Sequence, residues 1–254
     1  LSGSSPRYDG TNLVMRGDVV VVTINHRLNM MGFTHFGDMG HNQFESSGTI
    51  GMQDIVHALE WVQNNIEQFG GDPNRVMIFG ESGGGRKVAT LLGMPSAKGL
   101  FHTAVIESGA TLRLPDRERA NYLAEQVLEE LDLTKTNLPQ IQQIPLNQIM
   151  TAYHAVVARN TSTDAGGSFA PTMDGVVLPY HPFWPSASPV NPEIPVIVGA
   201  NRTEMTYFAD DAAFSLDETD MRQRVAEIVG PDNLETVVNV YRQQNPGASS
   251  SEIF

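Results

Sequence analysis

The chain has 254 residues, 41% of them hydrophobic and 18% charged, which is the composition of a globular domain rather than a disordered one. Sixteen Lys and Arg against 29 Asp and Glu leave a net charge of −13, so nucleic-acid binding by counterion release has no basis and anionic membrane surfaces are disfavoured. The absence of Cys removes disulfides, thiolate metal sites and cysteine catalysis together, and no apolar run approaches the length of a transmembrane helix.

In chain order, Asp18 to Ile24 carries a continuous β-branched run, Val19 to Val22 with Ile24 just beyond. That pattern predicts a strand covered on both faces of a parallel sheet. Gly51 to Gln68 follows as a helix, because Ile55, Leu59, Val62, Ile66 and Phe69 recur every three or four residues as one apolar stripe. Gly70, Gly71 and Pro73 stop it. Val76 to Phe79 predicts a strand, Gly83 to Leu92 a helix, and Thr103 to Ile106 a third strand. Buried-type strands alternating with helices predict an α/β fold with a mainly parallel sheet flanked by helices.

Beyond Gly109 the texture changes. Asp116 to Leu131 predicts an amphipathic helix with Asp116 as N-cap and Tyr122, Leu123, Val127, Leu128 and Leu131 on its apolar side. Leu146 to Arg159 predicts another helix, and Ser162 to Pro192, rich in Gly, Pro and Ser, a long surface loop. Ile194 to Val198 predicts a buried strand, and Thr219 to Gly230 and Asn233 to Arg242 two closing helices. The organisation expected is a single domain over 1–254, with a sheet core in 1–110, a helical and loop insertion in 111–192, and a strand with helices in 193–254. Asn160 to Ser162 and Asn201 to Thr203 match the glycosylation triplet, a pattern that chance readily supplies.

The residues that point to chemistry are Gly80, Glu81, Ser82, Gly83 and Gly84, a G-x-S-x-G run lying between a predicted strand and a predicted helix. That is the context of a nucleophile elbow. A sharp turn there presents the Ser82 hydroxyl at the C-terminal edge of the sheet, and small residues at 80 and 84 let backbones approach. The free N–H of Gly83, at a helix N-terminus, can donate to an oxyanion. A Gly-rich turn without chemistry is the plain alternative. Phosphate-binding readings fail: Gly80 and Gly85 have P-loop spacing but are followed by Arg86, Lys87 and Val88, and Val88 occupies the third glycine position of a dinucleotide fingerprint.

Several segments resemble the type-B carboxylesterases, the cholinesterase-like branch of the α/β-hydrolases. The run from Gly70 to Gly84 is similar to that family's nucleophile region, and Asn25 to Asn29 to its N-[YH]-R-L-N segment. Phe169 to Gly175, Leu178, Pro179 and His181 to Phe183 are similar to its middle loop, and Gly199 to Glu204 to its G-x-N-x-x-E acid loop. The likeness runs in order from about Ser5 to about Phe208. It implies Ser82 as nucleophile, Glu204 as triad acid and Gly83 N–H as one oxyanion donor, acting on a small-molecule carboxylic ester with no metal or cofactor. Glu204 also lies just past the end of a predicted strand, the edge where open α/β sheets bind ligands. Glu107 is a rival acid, with pairing to an Arg such as Arg27 as its ordinary role. The sequence departs from the family pattern at Gly83, where Ala is common, and at Met205, where Gly is frequent. It departs again at Lys87, where a small hydroxyl residue is common. A Lys in the first helical turn opposes the macrodipole by a few tenths of a kcal/mol, so Lys87 is either kept for a contact or simply solvated.

A serine esterase also needs a base and a second oxyanion donor. The family takes its His well downstream of the acid, and no His follows His181. His26, His35, His41, His57, His102 and His154 have ordinary surface or core settings, and the family pattern makes His181 structural. The family's H-G-G-G stretch is absent, and Leu1 to Pro6 looks like the residues just beyond it. The expectation is an internal piece of an esterase, both ends cut, inactive in isolation, with localisation left open. Phe33, Phe36, Phe183, Trp184, Tyr207 and Phe208 suggest an apolar substrate group, with core or rim packing as their default role. The alternatives are a non-catalytic binding or adhesion module on the same fold and, behind it, an interfacial lipase, for which no apolar lid is evident.

Overall fold

The computed structural model describes residues 2–160 and 169–254. They form two compact units, residues 1–200 and residues 201–254. The first unit carries helices α1 (Thr11–Gly17), α2 (Asn29–Phe33) and α3 (Ile50–Asn65), then strand β1 (Met77–Glu81), helix α4 (Gly83–Leu92) and strand β2 (Thr103–Glu107). Helices α5 (Arg117–Glu130) and α6 (Leu146–Asn160) and strand β3 (Val196–Gly199) complete it. The sheet is parallel in the order β1-β2-β3, with Ile78 opposite Ala104 and Ala104 opposite Val196.

Parallel register puts Ile78, Ala104 and Val196 in one row and Phe79, Val105 and Ile197 in the next, on the opposite face. The first row meets a core built from Met52, Ile55 and Leu59 of α3 and Val88, Ala89 and Leu92 of α4, with Phe101 and Ile106. A second core joins Met30, Phe36, Met39 and Phe44 to Leu123, Val127 and Leu128 of α5 and Val156 of α6. Asp174 is buried and accepts the N–H groups of Val176, Val177 and Leu178 at 2.8–2.9 Å, so one carboxylate closes the turn at the end of the 169–178 loop segment.

The second unit contains α7 (Glu218–Val229), α8 (Leu234–Gln244) and the short α9 (Ser250–Ile253) around Met221, Val225, Val238 and Ile253. Asp217 caps α7 through Asp220 N–H at 2.8 Å, and Ser249 and Glu252 form a capping box at α9.

Several sequence expectations require correction. Residues 18–24 form no strand, and Val19, Val20 and Val22 are exposed. A β-branched run suits a pleated surface, but a strand exists only where a neighbour supplies its ladder, and none of the described strands pairs with it. Glycines let backbone crowd this stretch instead: a Cβ on Gly3 would stand 2.3 Å from Ile24 O. β3 is an edge strand, with Ile197 and Val198 exposed rather than buried. Phe69 and Tyr122, placed on apolar stripes, are exposed. Phe69 follows a switch from α to 3-10 geometry at Ile66, which rotates it off the stripe. Asp116 flanks α5 but makes no side-chain cap, because its carboxylate bonds Arg113 at 2.7 Å. Of the predicted Ser162–Pro192 loop, residues 169–192 contain no helix or strand, while residues 162–168 lie outside the described part. The Asn160 triplet also runs outside it, and Asn160 itself is buried against Gln126 at 2.8 Å.

The face carrying Met77, Phe79 and Ile197 is open, and the outer edges of β1 and β3 pair with no described strand. Such edges are templates for association. The chain is therefore expected to self-associate at micromolar concentration in light scattering. A monodisperse monomer across that range contradicts this account.

Candidate active site

Ser82 stands between the last residue of β1 and the first of α4 with φ 52° and ψ −114°. A non-glycine residue at positive φ is costly and persists only where its surroundings over-determine it. Those surroundings are visible. Ser82 N–H donates to Glu107 O at 2.8 Å, at the end of β2, and Ser82 O accepts the N–H of Arg86 at 3.0 Å. Below the turn, backbones approach so closely that side chains are excluded. A Cβ on Gly80 would stand 2.5 Å from Gly84 C, and one on Gly109 only 2.1 Å from Ser82 O. Gly84 has open space, so the demand for smallness falls at 80 and 109 rather than at 84. The sequence reading missed Gly109. Its signal was a glycine three residues after the end of a predicted strand, at the edge where the chain turns.

Ser82 and Gly83 are exposed. The Gly83 N–H is one of the leading N–H groups of α4, which have no partner within the helix. The neighbouring Ser108 also has positive φ, 49°, and its N–H donates to Gly199 O at 2.7 Å. The ends of β1, β2 and β3 are thereby tied together around the elbow. Glu107 is exposed, and Arg27 is not its partner. Arg27 binds Asp54 with its backbone N–H at 2.8 Å, Nε at 2.9 Å and Nη2 at 2.6 Å, and Arg27 holds the Asp54 carboxyl below its ordinary range.

Glu204 belongs to the second unit. It opens a 3-10 turn over Glu204–Tyr207, and its Oε2 accepts the Asn201 N–H at 2.8 Å. Tyr207 and Phe208 are exposed. Of the other aromatic candidates, Phe33 and Phe36 are core residues, and Trp184 is exposed.

The histidines have structural settings. His41 bonds Lys135 O at 2.6 Å, and His102 Nδ1 accepts the Val76 N–H at 3.2 Å. His181 Nδ1 accepts the Leu114 N–H at 3.1 Å. His35 is fully buried, 3.4 Å from Asp38. That carboxylate also binds Arg117 and Asn121, and Arg117 holds it well below the usual range. His57 and His154 are exposed. Among the described residues none is hydrogen-bonded to Ser82 Oγ. Ring nitrogens of His35 and the Nε2 of His26 are buried without a hydrogen-bond partner; at His26, burial, then the nearby Lys87 charge, push the pKa down to about 4. No group of three or more His, Asp or Glu that could hold a metal occurs among the described residues, and none of their helices is long and apolar enough to cross a membrane.

Comparison with known proteins gives these observations a family. The sequence model of the carboxylesterase family matches residues 1–252. The para-nitrobenzyl esterase of Bacillus subtilis (strain 168) is 34% identical over 241 residues, 94% of this chain and 48% of that protein. A liver carboxylesterase of Sus scrofa is 36% identical over 235 residues, 88% and 41%. The solved structure of a Geobacillus stearothermophilus carboxylesterase has a TM-score of 0.83 at 34% identity, covering 100% of this chain and 52% of that one. A PNB esterase structure has a TM-score of 0.82 at 32% identity, with 100% and 52% covered. The chain belongs to the carboxylesterase family, and it has the α/β-hydrolase fold. It spans about half the length of the curated relatives it matches.

Two outcomes follow from this geometry. Gly109→Ala forces a Cβ against Ser82 O and is expected to cost about 1–3 kcal/mol; a urea midpoint equal to the parent's contradicts that. His26 has a folded value of about 4, below its ordinary 6.5, so the unfolded chain takes up this proton first. Its contribution to stability is full above about 6.5 and is lost as pH falls toward 4. His181, lowered by burial and then Arg113, acts in the same direction. The urea midpoint in dilute solution should therefore fall between those pH values, and His26→Gln should flatten the fall. An equally steep fall in the variant removes His26 as its source.

Proposed function

We propose that this chain carries the nucleophile and the acid of a serine carboxylic-ester hydrolase. The observation that carries the reading is Ser82 at positive φ at the junction of β1 and α4, on the C-terminal edge of a parallel sheet. Ser82 Oγ attacks the ester carbonyl carbon while a base accepts its proton. The carbonyl oxygen becomes an oxyanion, and the Gly83 N–H donates to it. The C–O bond to the alcohol breaks, the base returns the proton to the leaving alcohol, and an acyl-enzyme remains on Ser82. Water, activated by the same base, releases the acid. Glu204 orients the base and stabilises its protonated form.

The base and the second oxyanion donor, in this reading, come from outside these 254 residues. Triad members act as a unit, so loss of the base alone removes most of the chemical rate. The names of relatives, para-nitrobenzyl esterase and liver carboxylesterase, favour a small ester with an apolar group as substrate.

The test is turnover of p-nitrophenyl butyrate by the chain alone, and by the chain joined to the flanking segments of the Bacillus relative, each beside Ser82→Ala. The chain alone should show no turnover, and the joined protein turnover that Ser82→Ala abolishes. Turnover by the joined protein that survives Ser82→Ala overturns Ser82 as nucleophile. Turnover by the chain alone that Ser82→Ala abolishes places the base within it.

A further inference from the structure

Lys87 lies one turn into α4, and its side chain runs back toward the elbow. Its Nζ donates to Gly83 O at 3.1 Å and would stand 3.7 Å from a Cβ placed on Gly83. Its ammonium lies 5.9 Å from the centroid of the Phe33 ring. Among the described residues it forms no ion pair. A cation near a helix N-terminus is opposed by the macrodipole, and one without a carboxylate is doubly unfavourable. Local rules broken in this way mark sites where something other than stability is served.

We propose that Lys87 is a positioning residue for the nucleophile turn: its ammonium, held on Gly83 O and left uncompensated, sustains the positive potential in which negative charge at position 82 develops. This rests on Ser82 being the nucleophile. The field that disfavours Lys87 in the resting helix is the one that stabilises an oxyanion at the same helix end, so its unfavourable placement is recovered in the transition state.

The neighbours fit this role. The charged and titratable neighbours of the ammonium are Arg86 on its own helix and His26 on the 18–28 segment. Asp54, which acts on His26, is taken up by Arg27. His26 faces the cation as a neutral imidazole, its Nε2 without a partner. A carboxylate at position 26 would cancel the charge.

The chain has no Cys, so Ser82→Cys introduces a single thiol whose thiolate fraction reads the local potential without base, acid or substrate. Alkylation by iodoacetamide is followed against pH for Ser82→Cys alone and combined with Lys87→Met, Lys87→Gln or Lys87→Arg. Removing the charge with Met or Gln should slow alkylation at neutral pH by about three- to tenfold, and Arg should stay within about twofold of the parent. Superimposable profiles for the Met, Gln and parent proteins overturn the proposal. A parent thiol with its midpoint at or above the ordinary value of about 8.5 overturns it even if neither neutral variant folds. Slowing by Met and Gln while Ser82→Ala leaves ester turnover intact would retain the charge effect and reject the esterase reading.

Discussion

Ser82 is held from both sides. Its N–H is fixed to the end of β2 by Glu107 O at 2.8 Å, its carbonyl is fixed to α4 by Arg86 N–H at 3.0 Å, and the backbone of Gly109 occupies the space beneath. With both peptide groups committed, the residue between them adopts φ 52°, although a side chain there disfavours it. The strand must end and the helix must begin within one residue. That single constraint fixes where the hydroxyl points, leaves the Gly83 N–H unpaired within the helix, and requires glycine where the backbones of 80 and 84, and of 82 and 109, nearly touch. The two rows of the sheet and the α3–α4 core support it by fixing β1 against β2.

Several charged groups of the first unit are taken up by one another. Arg27 binds Asp54 through four hydrogen bonds, and Arg117 and Asn121 both donate to Asp38. Among the described residues Lys87 forms no ion pair, and its ammonium donates to the Gly83 carbonyl. The Lys87 ammonium brings positive charge to the elbow of a chain whose net charge is −13.

Much of this was legible in the sequence, where local chemistry and tertiary context agree. The helix at Gly83–Leu92 is recovered with its bounds, because a glycine run opens it and Gly93 closes it. The helices at Arg117–Glu130, Glu218–Val229 and Leu234–Gln244 fall within two residues of their predicted ends. The misreadings share a cause. Periodicity states which faces could be buried, whereas burial depends on what is present to cover them. Val19 to Val22 has strand character but no ladder partner, and Ile197 and Val198 lie on an edge. Asp116 has the right type and place for a cap, yet a nearby Arg113 offers its carboxylate a charged partner. In the site, Ser82 and Gly83 follow from the motif and its strand–turn–helix setting. Glu204 leaned on family resemblance, since one loop carboxylate has no local signature. The contacts of Gly109 and Lys87 with the elbow join segments that no short motif spans.

The positive φ of Ser82 stores backbone strain at the turn between β1 and α4. Equilibrium urea unfolding in dilute solution, followed by the fluorescence of Trp61 and Trp184, measures it in Ser82→Gly and Ser82→Ala. Glycine tolerates positive φ, so Ser82→Gly should stabilise the chain by about 1 kcal/mol relative to Ser82→Ala. If Ser82→Gly is instead the less stable of the two, as at an ordinary position in a strand or helix, the residue is not strained and the account fails at its first step.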